Sequence, residues 1–194
     1  MKYEEFVSQT KTIPRAATTR HAHILYGLVR WLQPKVVVEV GSWFGYTAVW
    51  MARALQENGE GRLFCVDDFS LDYSSYETLN RNLLMCGVMD VVTVVPSKSS
   101  EFEWPKCDLA FIDGDHSYEG CWRHFLKAEA SGASCIVIHD TTAWEGPRRV
   151  VEHPRYGFGM IEDTFDEGLS ILKRKGVKPA PRHPAEQKEL TNVT

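Results

Sequence analysis

The sequence predicts an α/β fold: a doubly wound, mostly parallel sheet with helices on both faces. Three observations carry this. Five short runs are apolar throughout, as strands buried on both faces are. Segments of helical period separate them, which argues for a parallel sheet with right-handed crossovers. Almost every chemically suggestive residue falls just after one of those runs, where ligands bind in such sheets. The chain has 194 residues, 43% of them hydrophobic, and a formal charge of −4. That suits one globular domain burying roughly 70% of its unfolded-chain surface. It speaks against a nucleic-acid partner.

The elements follow in order. Ile24, Leu25, Leu28, Val29 and Leu32 recur at helical spacing, and Pro34 closes that helix. Val36 to Val40 is the first strand and ends at Gly41. Ala48 to Leu55 reads as a helix, followed by the turn Asn58-Gly59-Glu60-Gly61. Leu63 to Val66 is a strand ending in Asp67-Asp68. A capping box at Ser74-Ser75-Tyr76-Glu77 and a left-handed stop at Gly87 bracket a helix over Ser75 to Cys86. Strands follow at Val91 to Val95 and Leu109 to Ile112, then a helix over Tyr118 to Ala130 closed near Gly132. Cys135 to Ile138 is the fifth strand and ends in His139-Asp140. A short helix near Arg148 to Glu152 and two strands near Gly159 to Glu162 and Leu169 to Lys173 complete a seven-stranded sheet. One domain is expected over 1–175, with a polar tail over 176–194.

No run is long enough to span a bilayer, and the N-terminus lacks a basic segment leading into an apolar core. The five cysteines are odd in number, widely spaced and without a CxxC pair, so they read as small buried hydrophobes of a reducing, cytoplasmic compartment.

The loop after the first strand runs Glu39-Val-Gly41-Ser-Trp-Phe-Gly45-Tyr-Thr47. Gly41 permits a tight turn, Gly45 permits close approach of a ligand, and the next helix offers unpaired N–H groups to an anion. Two acids raise this above a plain glycine turn. Glu39 lies in a buried-strand pattern and needs a partner there. Asp67 ends the second strand, where an acid grips ribose hydroxyls. The spacing is Gly-x-x-x-Gly and not the dinucleotide Gly-x-Gly-x-x-Gly. A nucleoside ligand bearing an amine and a carboxylate fits better than NAD. A second cluster, Asp113, Asp115, His116, His139 and Asp140, crowds two neighbouring strand ends. Oxygen ligands with imidazole nearby suit Mg²⁺, Mn²⁺ or Fe²⁺, and His116 suits a general base near neutral pH.

The segment Val38-Glu-Val-Gly-Ser-Trp-Phe-Gly-Tyr-Thr-Ala-Val49 resembles the first motif of class I S-adenosylmethionine-dependent methyltransferases, above all the catechol and caffeoyl-CoA O-methyltransferase group. Phe111-Ile-Asp-Gly-Asp-His-Ser-Tyr-Glu-Gly120 resembles the related small bacterial antibiotic- and sugar-modifying methyltransferases. The resemblance implies a Rossmann-like seven-stranded sheet whose last strand is antiparallel. It implies that Glu39, Gly41, Ser42, Gly45, Tyr46 and Thr47 hold the methionine part of S-adenosylmethionine, Asp67 its ribose, and Ser99 and Ser100 its adenine, with Asp113 also at the cofactor. It places His116 where the catechol-type enzymes have a catalytic lysine. A divalent cation (Mg²⁺ or Mn²⁺) would sit on Asp113, His139 and Asp140. Two positions depart from the family patterns: Thr141 stands where the first group has a ligating asparagine, and His139 where the second has an acid.

The expected activity is methyl transfer to a small-molecule acceptor at a hydroxyl oxygen, with or without metal assistance, in a homodimer on analogy, with no nucleic-acid or membrane partner. An NAD-dependent oxidoreductase and a non-catalytic S-adenosylmethionine-binding scaffold are the alternatives. Asp115 reads as a helix cap through the Ser117 and Tyr118 amides, Asp68 as a solvated loop acid, and His21 and His23 as solvated or capping residues. His124, His153 and His183 belong to no constellation. Trp43, Tyr46 and Tyr118 read as core aromatics, and Trp144 as a wall for an acceptor ring.

Overall fold

The computed structural model describes residues 1–14, 17–71, 75–153 and 158–175, with the Phe158 side chain left aside. Seven strands form one sheet: β1 (Val36–Val40), β2 (Arg62–Asp67), β3 (Val92–Pro96), β4 (Leu109–Ile112), β5 (Cys135–His139), β6 (Phe158–Asp163) and β7 (Leu169–Arg174). Their spatial order is β3-β2-β1-β4-β5-β7-β6. The first five run parallel, and β7 is antiparallel to both β5 and β6. The strand order reverses between β1 and β4, which makes their carboxyl ends the switch point where ligands bind.

Among the described residues six α-helices cover the sheet: α1 (Tyr3–Thr10), α2 (Thr19–Leu32), α3 (Tyr46–Asn58), α4 (Tyr76–Met85), α5 (Tyr118–Ala130) and α6 (Glu145–Glu152). The period-two alternation of the strands sorts them between two cores. Val37, Leu63, Phe111, Cys135 and Val137 point into one, with α1 to α4. Val38, Ala110, Ile112, Ile136 and Ile138 point into the other, with α5 and α6. All five cysteines are buried and free, as expected. Among the described residues no helix is long and apolar enough to cross a membrane.

The structure differs from the sequence expectations at four helical places, and β3 begins at Val92, with Val91 in a 3-10 turn over Met89–Val91. First, α1 was not anticipated, because it buries only Phe6 and Thr10. Phe6 meets Trp50 of α3 edge to face at 5.0 Å, a contact worth about 1 kcal/mol. Second, α3 starts two residues earlier than its apolar period, at the left-handed Gly45. Third, the cap of α4 is Ser75, whose side chain accepts the Thr78 N–H at 3.0 Å, so Glu77 is not three residues after the cap and a simple serine cap stands in place of the expected box; Ser74 lies outside the described residues. Fourth, α6 begins at Glu145, three residues before the expected Arg148. The expected tail over 176–194 lies outside the described residues.

Candidate active site

Gly41 ends β1 at the switch point. Its N–H donates to the Val66 carbonyl at 3.0 Å, and the Asp113 N–H donates to the Val40 carbonyl at 2.9 Å. The ends of β1, β2 and β4 are thereby locked side by side. Gly41 has φ +83°, and a Cβ there would lie 2.1 Å from the Asp113 carbonyl oxygen, so only glycine fits.

The loop is braced from below by Glu39, which is fully buried. Its carboxylate accepts Ser42 Oγ at 2.8 Å and Thr47 Oγ1 at 2.5 Å, with Cys65 Sγ at 3.5 Å. Burial pushes the Glu39 carboxyl up to about 7, against the opposing effect of those hydrogen bonds. Glu39, Ser42 and Thr47 thus organise the loop, and the Thr47 hydroxyl is directed at Glu39. Tyr46 is buried and its hydroxyl meets Thr19 Oγ1 of α2 at 3.0 Å. Asp67 accepts the backbone N–H groups of Trp43 and Phe69, each at 2.8 Å, holding the end of β2 against the loop. Asp68 is exposed, as expected.

Ser99 and Ser100 follow β3. Lys127 of α5, which the sequence reading passed over, clamps their segment: Nζ donates to the carbonyls of Ser99, Ser100 and Phe102 at 2.7, 2.8 and 3.1 Å. Ser99 Oγ lies 2.6 Å from His124 Nε2. His124 therefore does belong to a constellation. It is buried, and burial pushes its pKa down to about 4. The unfolded chain then takes up this proton first on acidification, so stability is lost as pH falls from about 6.5 towards about 4, by at most about 3 kcal/mol. Urea unfolding at pH 7 and pH 4.5 should show a smaller acid loss for His124→Gln than for the wild type. Identical acid losses in the two proteins would contradict the assignment.

The second cluster lies at the ends of β4 and β5. In-register pairing of Ile112 with Ile138 sets Asp113 beside His139. His139 Nδ1 lies 3.0 Å from Asp113 Oδ1 and 3.0 Å from Asp140 Oδ1. His116 Nε2 lies 2.8 Å from Asp140 Oδ2, an ion-pair contact without hydrogen-bond alignment, and 3.9 Å from Asp113 Oδ1. Asp140 takes φ +61°, which turns its carboxylate back to the cluster. The electrostatics follow from these contacts. Burial alone would lower His139, but the Asp113 charge and the bonds to Asp113 and Asp140 push it up to about 10. The same two carboxylates push His116 up to about 9 against burial. Burial would raise the Asp140 carboxyl, yet His116 and His139 hold it well below the usual carboxylate range.

One nitrogen and two carboxylate oxygens, mutually within 4.8 Å, form a donor set that a divalent cation fits. Thr141 is not part of it: it is fully buried, and its hydroxyl accepts Ser170 Oγ at 3.1 Å. Asp115 accepts the Ser117 N–H and lies 3.8 Å from Arg123, with no bond to the Tyr118 N–H among the described residues, and the cap of α5 is Ser117 itself, which accepts the Gly120 N–H. Trp144 is 54% exposed and stacks on His116, with centroids 5.2 Å apart and planes 14° apart. His21 is the main surprise. It is fully buried and its Nδ1 lies 2.9 Å from His139 Nε2, so it is neither solvated nor a cap. His23 is exposed and meets the Trp50 ring edge to face. The second partner that sequence reasoning missed is Glu167, in the β6–β7 loop, which groups with His21 and His139. Glu167 carries no periodic mark, whereas His21 lies four residues before Leu25 on the buried face of α2, in line with Val29 and Leu32, a helical spacing that could have found it.

A family model described as a methyltransferase domain matches residues 38–141, from the glycine loop to the end of the acidic cluster. An Arabidopsis thaliana protein provisionally named a caffeoyl-CoA O-methyltransferase is 30% identical over 165 residues, covering 78% of this chain and 67% of that protein. Bovine (Bos taurus) catechol O-methyltransferase is 26% identical over 147 residues, covering 70% of this chain and 52% of that enzyme. The chain thus spans about two thirds of the first relative and about half of the second. Among solved structures, the Streptomyces achromogenes O-methyltransferase TomG, in complex with S-adenosylmethionine, superposes with a TM-score of 0.66 at 21% identity over 91% of this chain and 92% of that one, a likeness of fold. The chain belongs to the methyltransferase-domain family, and its relatives group it with the class I S-adenosylmethionine-dependent O-methyltransferases.

Proposed function

We propose that the protein transfers a methyl group from S-adenosylmethionine to a hydroxyl oxygen of a small molecule, with a divalent cation on Asp113, His139 and Asp140. The observation that carries this is the convergence of His116, Asp113, His139 and Asp140 at two strand ends beside the glycine loop. In this reading the Gly41–Gly45 loop and the first turn of α3 receive the methionine part, Asp67 the ribose, and the Ser99–Ser100 segment the adenine. The Gly-x-x-x-Gly spacing and the family membership both favour this cofactor over a dinucleotide.

Methyl transfer from a sulfonium to an oxyanion annihilates charge, so catalysis rests on positioning, a deprotonated acceptor and exclusion of water. A divalent cation, when bound, lowers the pKa of an acceptor hydroxyl and orients its oxygen. Asp113 and Asp140 supply the anionic ligands, and the left-handed turn at Asp140 aims its carboxylate. His116 is the general base. The same two carboxylates set its charge, so whatever neutralises them frees Nε2 to accept the hydroxyl proton. Trp144, stacked on His116, forms a wall for a planar acceptor. At the same end of the sheet a cavity of about 330 Å³ opens between α2 and β6–β7, lined by Arg20, Ile24, Ile161, Asp163 and Phe165 among others.

Incubating the protein with S-adenosylmethionine and catechol as a probe acceptor tests the reading. A methyl ether should form, stop on chelation and resume on addition of Mn²⁺. Turnover indifferent to chelator would contradict the cation. Methylation of amine probes alone would contradict oxygen as the acceptor.

A further inference from the structure

Behind the carboxylate cluster two buried imidazoles meet, and the mechanism above uses only one of them. His21 sits in the first turn of α2, where its backbone N–H donates to the Thr18 hydroxyl at 3.2 Å. It is completely buried, with Nδ1 2.9 Å from His139 Nε2. The strand period explains the meeting. Cys135 and Val137 point into the core formed with α2, so His139 points the same way. The β6–β7 loop closes the arrangement from the other side. The Glu167 carbonyl accepts the N–H groups of Thr142 and Ala143 at 3.0 and 3.2 Å, which ties this loop to the end of β5. A Glu167 carboxylate oxygen and one nitrogen each of His21 and His139 then lie within 4.8 Å of one another. Among the described residues, His21 Nε2 and Glu167 Oε2 are both buried without a hydrogen-bond partner.

A nitrogen–nitrogen contact of 2.9 Å needs one shared proton, since two bare lone pairs repel and two N–H groups collide. With the Glu167 carboxylate near both imidazoles and His21 Nε2 unpartnered, the His21 tautomer protonated on Nε2 is the one that leaves a donor for that carboxylate. His21 Nδ1 is then a bare acceptor, and His139 Nε2 must carry the shared proton. That leaves His139 Nδ1, which faces Asp113 and Asp140, as the nitrogen available to a cation. Metal-ligating histidines generally donate their other ring N–H to an orienting acceptor, and here His21 is that acceptor.

We propose that His21, with Glu167 beside it, is a positioning residue that presents His139 Nδ1 as a nitrogen ligand, so that the cluster selects a transition-metal cation such as Mn²⁺ or Co²⁺ over Mg²⁺. The inference rests on the cation reading above and goes further by naming the class of cation and the residues that choose it. Imidazole suits transition metals, whereas Mg²⁺ takes oxygen ligands and keeps its waters. Removing His21 therefore weakens the first class of ion and leaves Mg²⁺, held by carboxylates and water, nearly unchanged.

The test uses the full chain, freed of metal and titrated calorimetrically with Co²⁺ and Mg²⁺, together with spin-echo spectroscopy of the Mn²⁺-loaded protein. His21→Ala should bind Co²⁺ about 10- to 100-fold more weakly, keep its Mg²⁺ affinity within about threefold, and lose the echo modulation of a bound imidazole nitrogen. His21→Asn places an amide oxygen near the Nδ1 position and should recover both the affinity and the modulation. Circular dichroism and binding of S-adenosylhomocysteine check that each variant is folded. Equal losses for Co²⁺ and Mg²⁺, an unchanged His21→Ala, or a wild-type spectrum without nitrogen coupling would overturn this inference and leave the cation in place. A wild type that binds no divalent ion would remove the cation reading and this inference together.

Discussion

Replacing Asp140 by Asn is expected to cost about 10²- to 10⁴-fold in turnover while the fold and cofactor binding survive. Asp140 lies at φ +61°, and asparagine tolerates that left-handed conformation as well as aspartate does. The Asp140 carbonyl, which accepts the Trp144 N–H at 3.0 Å, keeps its place in the turn. What changes is the charge. Asp140 Oδ1 and Oδ2 are 3.0 and 2.8 Å from His139 and His116, so one substitution removes an anion from both imidazoles and from the proposed cation site. Steady-state kinetics of the variant, with calorimetry of S-adenosylhomocysteine, separates the two roles. Wild-type turnover would remove Asp140 from the chemistry, whereas loss of cofactor-product binding would make its role structural.

Gly41→Ala should destabilise the protein by more than about 4 kcal/mol. The added methyl would stand 2.1 Å from the Asp113 carbonyl oxygen, 2.6 Å from its carbon and 2.8 Å from the Gly114 Cα, all backbone atoms. No side-chain rotation relieves that, and φ +83° adds strain for any L side chain. Either β1 and β4 part at their carboxyl ends or the variant fails to fold. Gly45→Ala is the control. It has the same φ, but its nearest neighbour is the Leu79 side chain at 2.4 Å, which can move. Equal melting temperatures for Gly41→Ala and the wild type would show that the approach of β4 to the loop is looser than described.

The parallel sheet was legible because β-branched and apolar runs buried on both faces have no other reading, and Val36–Val40 and Leu109–Ile112 match the expected bounds. The acidic cluster was legible for a related reason: Asp113, His139 and Asp140 end neighbouring strands, and a parallel register brings strand ends together. Most of what escaped the sequence depends on contacts with no local pattern, although His21 does lie on the helical period of Leu25, Val29 and Leu32. α1 buries too little to show a period. His21 looked solvated because a polar residue in a first helical turn usually is, and only the His139 imidazole across the sheet end makes its burial tolerable. His124 gained its meaning from Ser99, 25 residues away. Glu39 was recognised as an acid in need of a partner, yet its partners proved to be the loop's own Ser42 and Thr47 hydroxyls. Glu167 lies in a loop that only the antiparallel insertion of β7 brings against β5.

The account's central claim is that the glycine loop and the β2 and β4 ends form an S-adenosylmethionine site. Calorimetric titration of S-adenosylhomocysteine into the wild type and into Asp67→Ala tests it most directly. The account predicts micromolar binding to the wild type and at least about tenfold weaker binding to a folded Asp67→Ala, since the ribose loses its acceptor. No heat of binding to the wild type, or equal affinity in the two proteins, would contradict it.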